Sequence, residues 1–280
     1  MKRITTLLLL CICGCFTSPS SSQATLIAYE SFSGSEGTLI GQTGGTGLGA
    51  WSELVSGHGT TTVYSDGLTY SSLDTTGGRA YIVPAVSGKT GASSTLTTSV
   101  NTGTAWLSFL INSDSGTRYC DLSITSGSTA ETVFIGHNSG VSTWGLSGSA
   151  LTGVTSTNSS VAVNPGVTTL MLLRVDFNTS GDNERLRLYI NPDVTITDPD
   201  LLTAQVDVTT ISSFSIDGIT IAAGYGSGTT TKASVDEIRV GTELKDAVAA
   251  VPEPQSSVLV AAGLCLILIL SRKHTLTTRV

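Results

Sequence analysis

LMLLRVDFNTSGDNERLRLYINP, residues 170–192, decides how this chain folds. One strand runs through Leu172, Arg174, Asp176 and their neighbours. The polar run Ser180-Gly181-Asp182-Asn183 supplies a turn, and Arg185–Ile190 returns. The return leg has a period of two, with Leu186, Leu188 and Ile190 on one side and Arg185, Arg187 and Tyr189 on the other. That is the alternation of a strand with an apolar face inward and a polar face outward. Asn191-Pro192 ends the leg, because proline cannot donate to a ladder. The stretch therefore predicts an antiparallel hairpin.

Working outward, the same chemistry recurs from residue 25 to residue 245. Short β-prone runs are expected at Leu26–Tyr29, Thr61–Val63, Ala80–Val83, Thr95–Thr98, Ala105–Ile111, Leu122–Ile124, Thr132–Gly136, Ile211–Ile221 and Lys232–Val240. Between them lie turn formers such as Ser65-Asp66-Gly67, Thr76-Gly77-Gly78 and Asn112-Ser113-Asp114. The closing run alternates only approximately around Val235, Ile238 and Val240, and a bulge near Asp236-Glu237 reconciles it. No heptad or amphipathic helix interrupts these runs, so the middle of the chain is expected to be all-β, an antiparallel sandwich or barrel.

Composition agrees. Charged residues are 12% of the 280, aromatics 6%, and glycine numbers 31, the profile of an extracellular β protein. Five of the 14 Lys+Arg sit in the terminal segments, so the middle holds nine against all 21 acids, a balance of −12. Such a surface repels phosphate backbones and sets nucleic acid aside as a partner. Cys11, Cys13, Cys15 and Cys265 also fall in the terminal segments. Cys120 alone remains in the middle, where it reads as a small buried hydrophobe and has no disulfide partner.

The N-terminus MKRITTLLLLCICGCF has a basic start and a short apolar run, then reaches Ser22-Gln23-Ala24. This predicts a secretory signal peptide over residues 1–24, with lipidation at Cys15 as the competing reading. Near the other end, Val251-Pro252-Glu253-Pro254 precedes an apolar run, Val258–Leu270, and the basic cluster Arg272, Lys273 and His274. As a helix that run spans ~20 Å, short for a membrane. This tail resembles the PEP-CTERM sorting signal. The resemblance implies recognition by an exosortase-type membrane protease and transient tethering through the helix. It also implies delivery to the cell surface or an exopolysaccharide matrix. Thr275–Val280 departs from the pattern by extending beyond the basic cluster.

The middle resembles a concanavalin A-like (laminin-G-like) jelly-roll domain. The likeness rests on the opening YESFSGSEGTLIGQTGGTGLGAW (29–51), on GLTYSSLDTTGGRA (67–80), on LRLYINP (186–192) and on VDEIRVGT (235–242). The expected organisation is a signal peptide (1–24), a jelly-roll β-sandwich (25–246), and a linker with sorting signal and short hydrophobic helix (247–280).

Candidate chemistry is sparse. Asp236 and Glu237 are adjacent, so a regular strand points them to opposite faces and denies them the paired-carboxylate geometry of a glycosidase. No Glu-x-Asp-x-x-Glu occurs. Asp176, Asp182 and Asn183 crowd the hairpin and are candidate Ca²⁺ ligands, the one cofactor considered. Trp51, Trp106 and Trp144 are candidate sugar-stacking platforms. His58 and His137 lack zinc-site spacing. The expectation is a secreted, non-enzymatic structural or adhesive protein. The alternative is a lectin-like or glycan-degrading jelly roll with a polysaccharide partner.

Overall fold

The computed structural model describes residues 25–248, apart from 71–72, 116–117, 128, 153–155, 181–182 and 227–228. The expected leader and the sorting residues Val251, Pro252, Glu253, Pro254, Arg272 and Lys273 lie outside the described residues. Among the described residues no helix is long and apolar enough to cross a membrane.

In chain order the strands are β1 Leu26–Glu30, β2 Gly37–Thr38, β3 Ser52–Glu53, β4 Gly59–Tyr64, β5 Arg79–Pro84 and β6 Gly88–Val100. Then follow β7 Thr104–Ser113, β8 Cys120–Ser126, β9 Thr129–His137, β10 Thr143–Ser147, β11 Ser156–Ala162 and β12 Thr169–Ser180. The last are β13 Asn183–Ile190, β14 Val206–Ile211, β15 Ile216–Gly226, β16 Thr229–Thr230 and β17 Ala233–Gly241, before a single helical turn α1, Leu244–Ala247. They form two antiparallel sheets, a jelly-roll β-sandwich of the concanavalin A-like kind. One sheet runs β14-β13-β12-β7-β17-β5-β4-β2, with β1 also on β17; the other runs β11-β10-β9-β8-β15-β6-β3, with β16 on β15.

Strand alternation builds the core between the sheets. Leu107, Phe109 and Ile111 of β7, Met171, Leu173 and Val175 of β12, and Leu186, Leu188 and Ile190 of β13 face inward. They meet Leu122, Ile124, Val133, Ile135, Leu146, Ile219 and Ile221 from the other sheet. The opening hairpin pairs as its pattern requires, Leu173 with Leu188 and Val175 with Leu186. Its outward face is not solvated, however. Leu170, Leu172 and Tyr189 join Trp106, Leu110, Leu68 and Leu73 in a second apolar cluster, closed by Leu244, Ala247 and Val248. The unbroken run LMLL marks a strand covered on both sides. The fold continues through Val248, since Ala247 is fully buried and its carbonyl accepts from Ser108 Oγ.

Two further differences follow from chemistry that sequence patterns do not encode. Ile211–Ile221, expected as one strand, is two: β14 belongs to the first sheet and β15 to the second. Ser212–Ser215 carry the chain across, with no Gly or Pro to mark the corner, and Phe214 plugs it from inside. β10 and β11, outside the runs expected from sequence, are ordered by pairing, β10 with β9 and β11 with β10. The expected bulge in β17 is present. The register slips between Asp236 and Arg239, and Glu237 takes a left-handed φ of 51°. Before the bulge the free edge of β17 pairs with β5, and after it with β1.

Candidate functional site

On the outer face of the second sheet, alternation turns Asp121 and Ser123 of β8 away from the core. Their register partners are small: Ala222 and Gly136 flank Asp121, and Gly136 in turn faces Gly145. Lys89 of β6 lies opposite Gly224 of β15, and the Tyr119 ring lies over that glycine, where a Cβ would stand 2.6 Å from the ring. Beside these positions the outer face holds a groove of about 740 Å³. Its lining includes Lys89, Tyr119, Glu131, Phe134, Asn138, Ser139, Ser147 and Ser156.

Charge in this groove converges on Lys89. Its ammonium stands 3.1 Å from Asp121 Oδ2 and also pairs with Glu131. It lies 5.3 Å from the centre of the Tyr119 ring and 5.4 Å from that of Phe134, within cation–π range. Asp121 is fully buried beneath it, and Ser123 Oγ donates to Oδ1 at 2.7 Å. Burial raises the Asp121 carboxyl above the usual range, and the Lys89 charge opposes that rise. Burial, aided by Asp121, pushes the Tyr119 hydroxyl up to about 12, so it stays a hydrogen-bond donor at any physiological pH. Glu131 holds a left-handed φ of 61°, strain placed beside the groove. Thr220, opposite Ser123, is buried on the same face, and its Oγ1 has no hydrogen-bond partner among the described residues. The sequence did not single out these residues, because they lie on separate strands with no local motif. The available signal was an acid in CDLSITS on the polar side of an alternating strand.

The candidates read from sequence go elsewhere. Trp51 is 1% exposed in the core and donates Nε1 to Glu30 Oε2 at 2.9 Å. Trp144 is as deeply buried, edge-on to His137 at 5.6 Å. Neither has a free ring face for a sugar. Trp106 is stacked between Arg174, at 5.4 Å, and Tyr189, at 6.0 Å, on the opposite side of the molecule from the groove. The Asp176 carboxylate is committed to Arg174 Nε at 2.8 Å, Thr104 Oγ1 at 3.0 Å and Arg187. Asn183 is described only as a backbone partner of Ser180, and Asp182 lies outside the described residues. Among the described residues no three His, Cys, Asp or Glu cluster as metal ligands.

The expectation that Asp236 and Glu237 point to opposite faces is corrected, because the bulge turns both outward. Asp236 accepts from Leu68 N and Glu237 N, while Glu237 accepts from Tyr29 Oη, Thr76 N and Arg239. Both carboxylates therefore fasten the 65–78 loop and β1 to β17. Cys120 and His137 are cross-strand partners, both fully buried. Burial pushes the thiol up and the imidazole down, so neither forms the charged species a nucleophilic pair needs.

No family model matches the sequence, and none of the curated proteins is similar to it. Solved structures with a similar fold include a carbohydrate esterase from the Shiga toxin-encoding bacteriophage phi24B, 14% identical with a TM-score of 0.49, covering 79% of this chain and 99% of that one. Lectin UEA-II complexed with galactose is 9% identical, TM-score 0.41, covering 77% and 98%. A GH131 β-glucanase catalytic domain from Podospora anserina is 11% identical, TM-score 0.41, covering 69% and 87%. The expectation of a protein without enzymatic activity is corrected by these findings. The similar structures include a carbohydrate esterase and a glucanase catalytic domain beside a lectin. The similarity of this chain to all three is one of architecture, the concanavalin A-like sandwich.

Proposed function

We propose that this chain binds carbohydrate in the groove on the outer face of its second sheet. This replaces the structural or adhesive role as the leading reading. The groove itself carries the proposal. It combines the partly exposed Tyr119 ring with hydroxyl and amide groups at Ser139, Ser147, Ser156 and Asn138. A sugar ring presents an apolar face and a rim of hydroxyls, and such a lining meets both. The test is a glycan array with purified protein, followed by titration calorimetry on the enriched glycans with wild type and Tyr119→Ala. Binding weakened about tenfold by Tyr119→Ala, with folding retained, supports the proposal. An array without enrichment refutes it.

Export belongs to the same proposal. The leader and the Val251-Pro252-Glu253-Pro254 tail support delivery to the envelope or matrix through an exosortase-type protease. Mass spectrometry of secreted material tests it. Protein that stays with the inner membrane and still ends in Val280 refutes the sorting route.

A further inference from the structure

We infer that the groove selects uncharged glycans, and that the Lys89–Asp121–Glu131 arrangement sets this selectivity. The inference rests on the carbohydrate reading above and adds the substrate class. Anionic polysaccharides are normally held by cations with free donors aimed at the sugar carboxylate or sulfate. Lys89 is the one cation in the groove lining among the described residues, and it is already engaged. Its ammonium pairs with both Asp121 and Glu131, and its remaining surroundings are the Tyr119 and Phe134 rings.

A uronate laid in this groove brings a third carboxylate to one ammonium. It then either leaves Glu131 without its partner or faces it uncompensated, and both outcomes disfavour the complex. Arg118, which does not line the groove, is engaged as well, donating to Thr229 Oγ1 and to Ser139 Oγ of the lining at 3.0 and 3.1 Å. The long-range field works in the same direction, since the middle of the chain has nine cations against 21 acids. A neutral sugar escapes these penalties. Its hydroxyls both donate and accept, matching the serines and Asn138, while the exposed part of Glu131 accepts from them.

The experiment measures binding of the folded protein to neutral polysaccharides (glucans, mannans, galactans, xylans) beside uronate-bearing and sulfated ones. It is run from about 0.05 to about 0.5 M NaCl, a range over which screening removes most exposed charge effects. The expected result is binding to a neutral polymer with little salt dependence. In Glu131→Gln, Lys89 is partly released, and the affinity ratio of uronate to neutral polymer rises about five- to tenfold. Thermal melting confirms that this near-isosteric variant folds. Uronates or sulfated chains preferred by the wild type overturn the inference and leave the carbohydrate reading standing. So does an unchanged ratio in Glu131→Gln. No binding to any polymer removes both.

Discussion

Asp176→Asn is the substitution whose consequence the structure makes most explicit. Asp176 lies between Arg174 and Arg187 on the first sheet, with its side chain 10% exposed and each arginine side chain 18% exposed. The amide keeps the shape but removes the charge, and its NH₂ now faces a guanidinium that can only donate. Breaking a buried ion pair from one side costs about 3–5 kcal/mol. Partial exposure of both arginines reduces this through solvent screening, to ~2–4 kcal/mol. The two arginines hold Asp176 below the usual carboxylate range against the opposing effect of burial. Its folded pKa is therefore depressed, so its contribution is present above the unfolded value near 3.8 and is lost as pH falls through the lower folded value. Urea unfolding of wild type and variant at about pH 7 and about pH 3 measures both effects. The difference should be ~2–4 kcal/mol at neutrality and shrink in acid. A neutral-pH difference below ~0.5 kcal/mol, or one that grows in acid, refutes the reasoning.

Asp236 behaves in the opposite sense. Burial, with Glu237 and Glu30 adding to it, raises its carboxyl to about 8 from 3.8, so the folded state holds a proton that the unfolded state releases. The stability of wild type relative to Asp236→Asn should therefore fall as pH rises from about 4 to about 8, read from paired urea curves. Gly47→Ala should destabilise by ~3 kcal/mol or more in thermal melts. The glycine sits at φ +73°, and an added Cβ would stand 1.9 Å from the Ile27 carbonyl oxygen. Cys120, fully buried with its thiol pKa raised, should not react with a thiol reagent in the native protein, and should react at once in denaturant.

The legible part of the fold was whatever local periodicity encodes. The 170–192 hairpin, the closing bulge at Asp236-Glu237 and the termination at Asn191-Pro192 were all readable, because alternation and turn chemistry act over a few residues. Asn191 indeed takes φ 51°, and its Oδ1 accepts from Leu170 N at 3.0 Å. The site was much less legible. Tryptophan type suggests sugar stacking, yet Trp51 and Trp144 fill the core, and burial is decided by which strand faces which.

The sequence by itself determined an all-β chain, acidic in its middle, with its positive charge partly displaced to its ends. Periodicity and composition are additive along a chain, and no partner strand is needed to read them. Tertiary structure alone decided that Lys89 of β6, Asp121 of β8 and Glu131 of β9 meet at one ammonium. Their meeting depends on β15 entering between β6 and β8, a pairing across about a hundred residues of intervening sequence. The small residues at 136, 145, 222 and 224 fall into register around them in the same way, set by pairings between strands and not by any local motif.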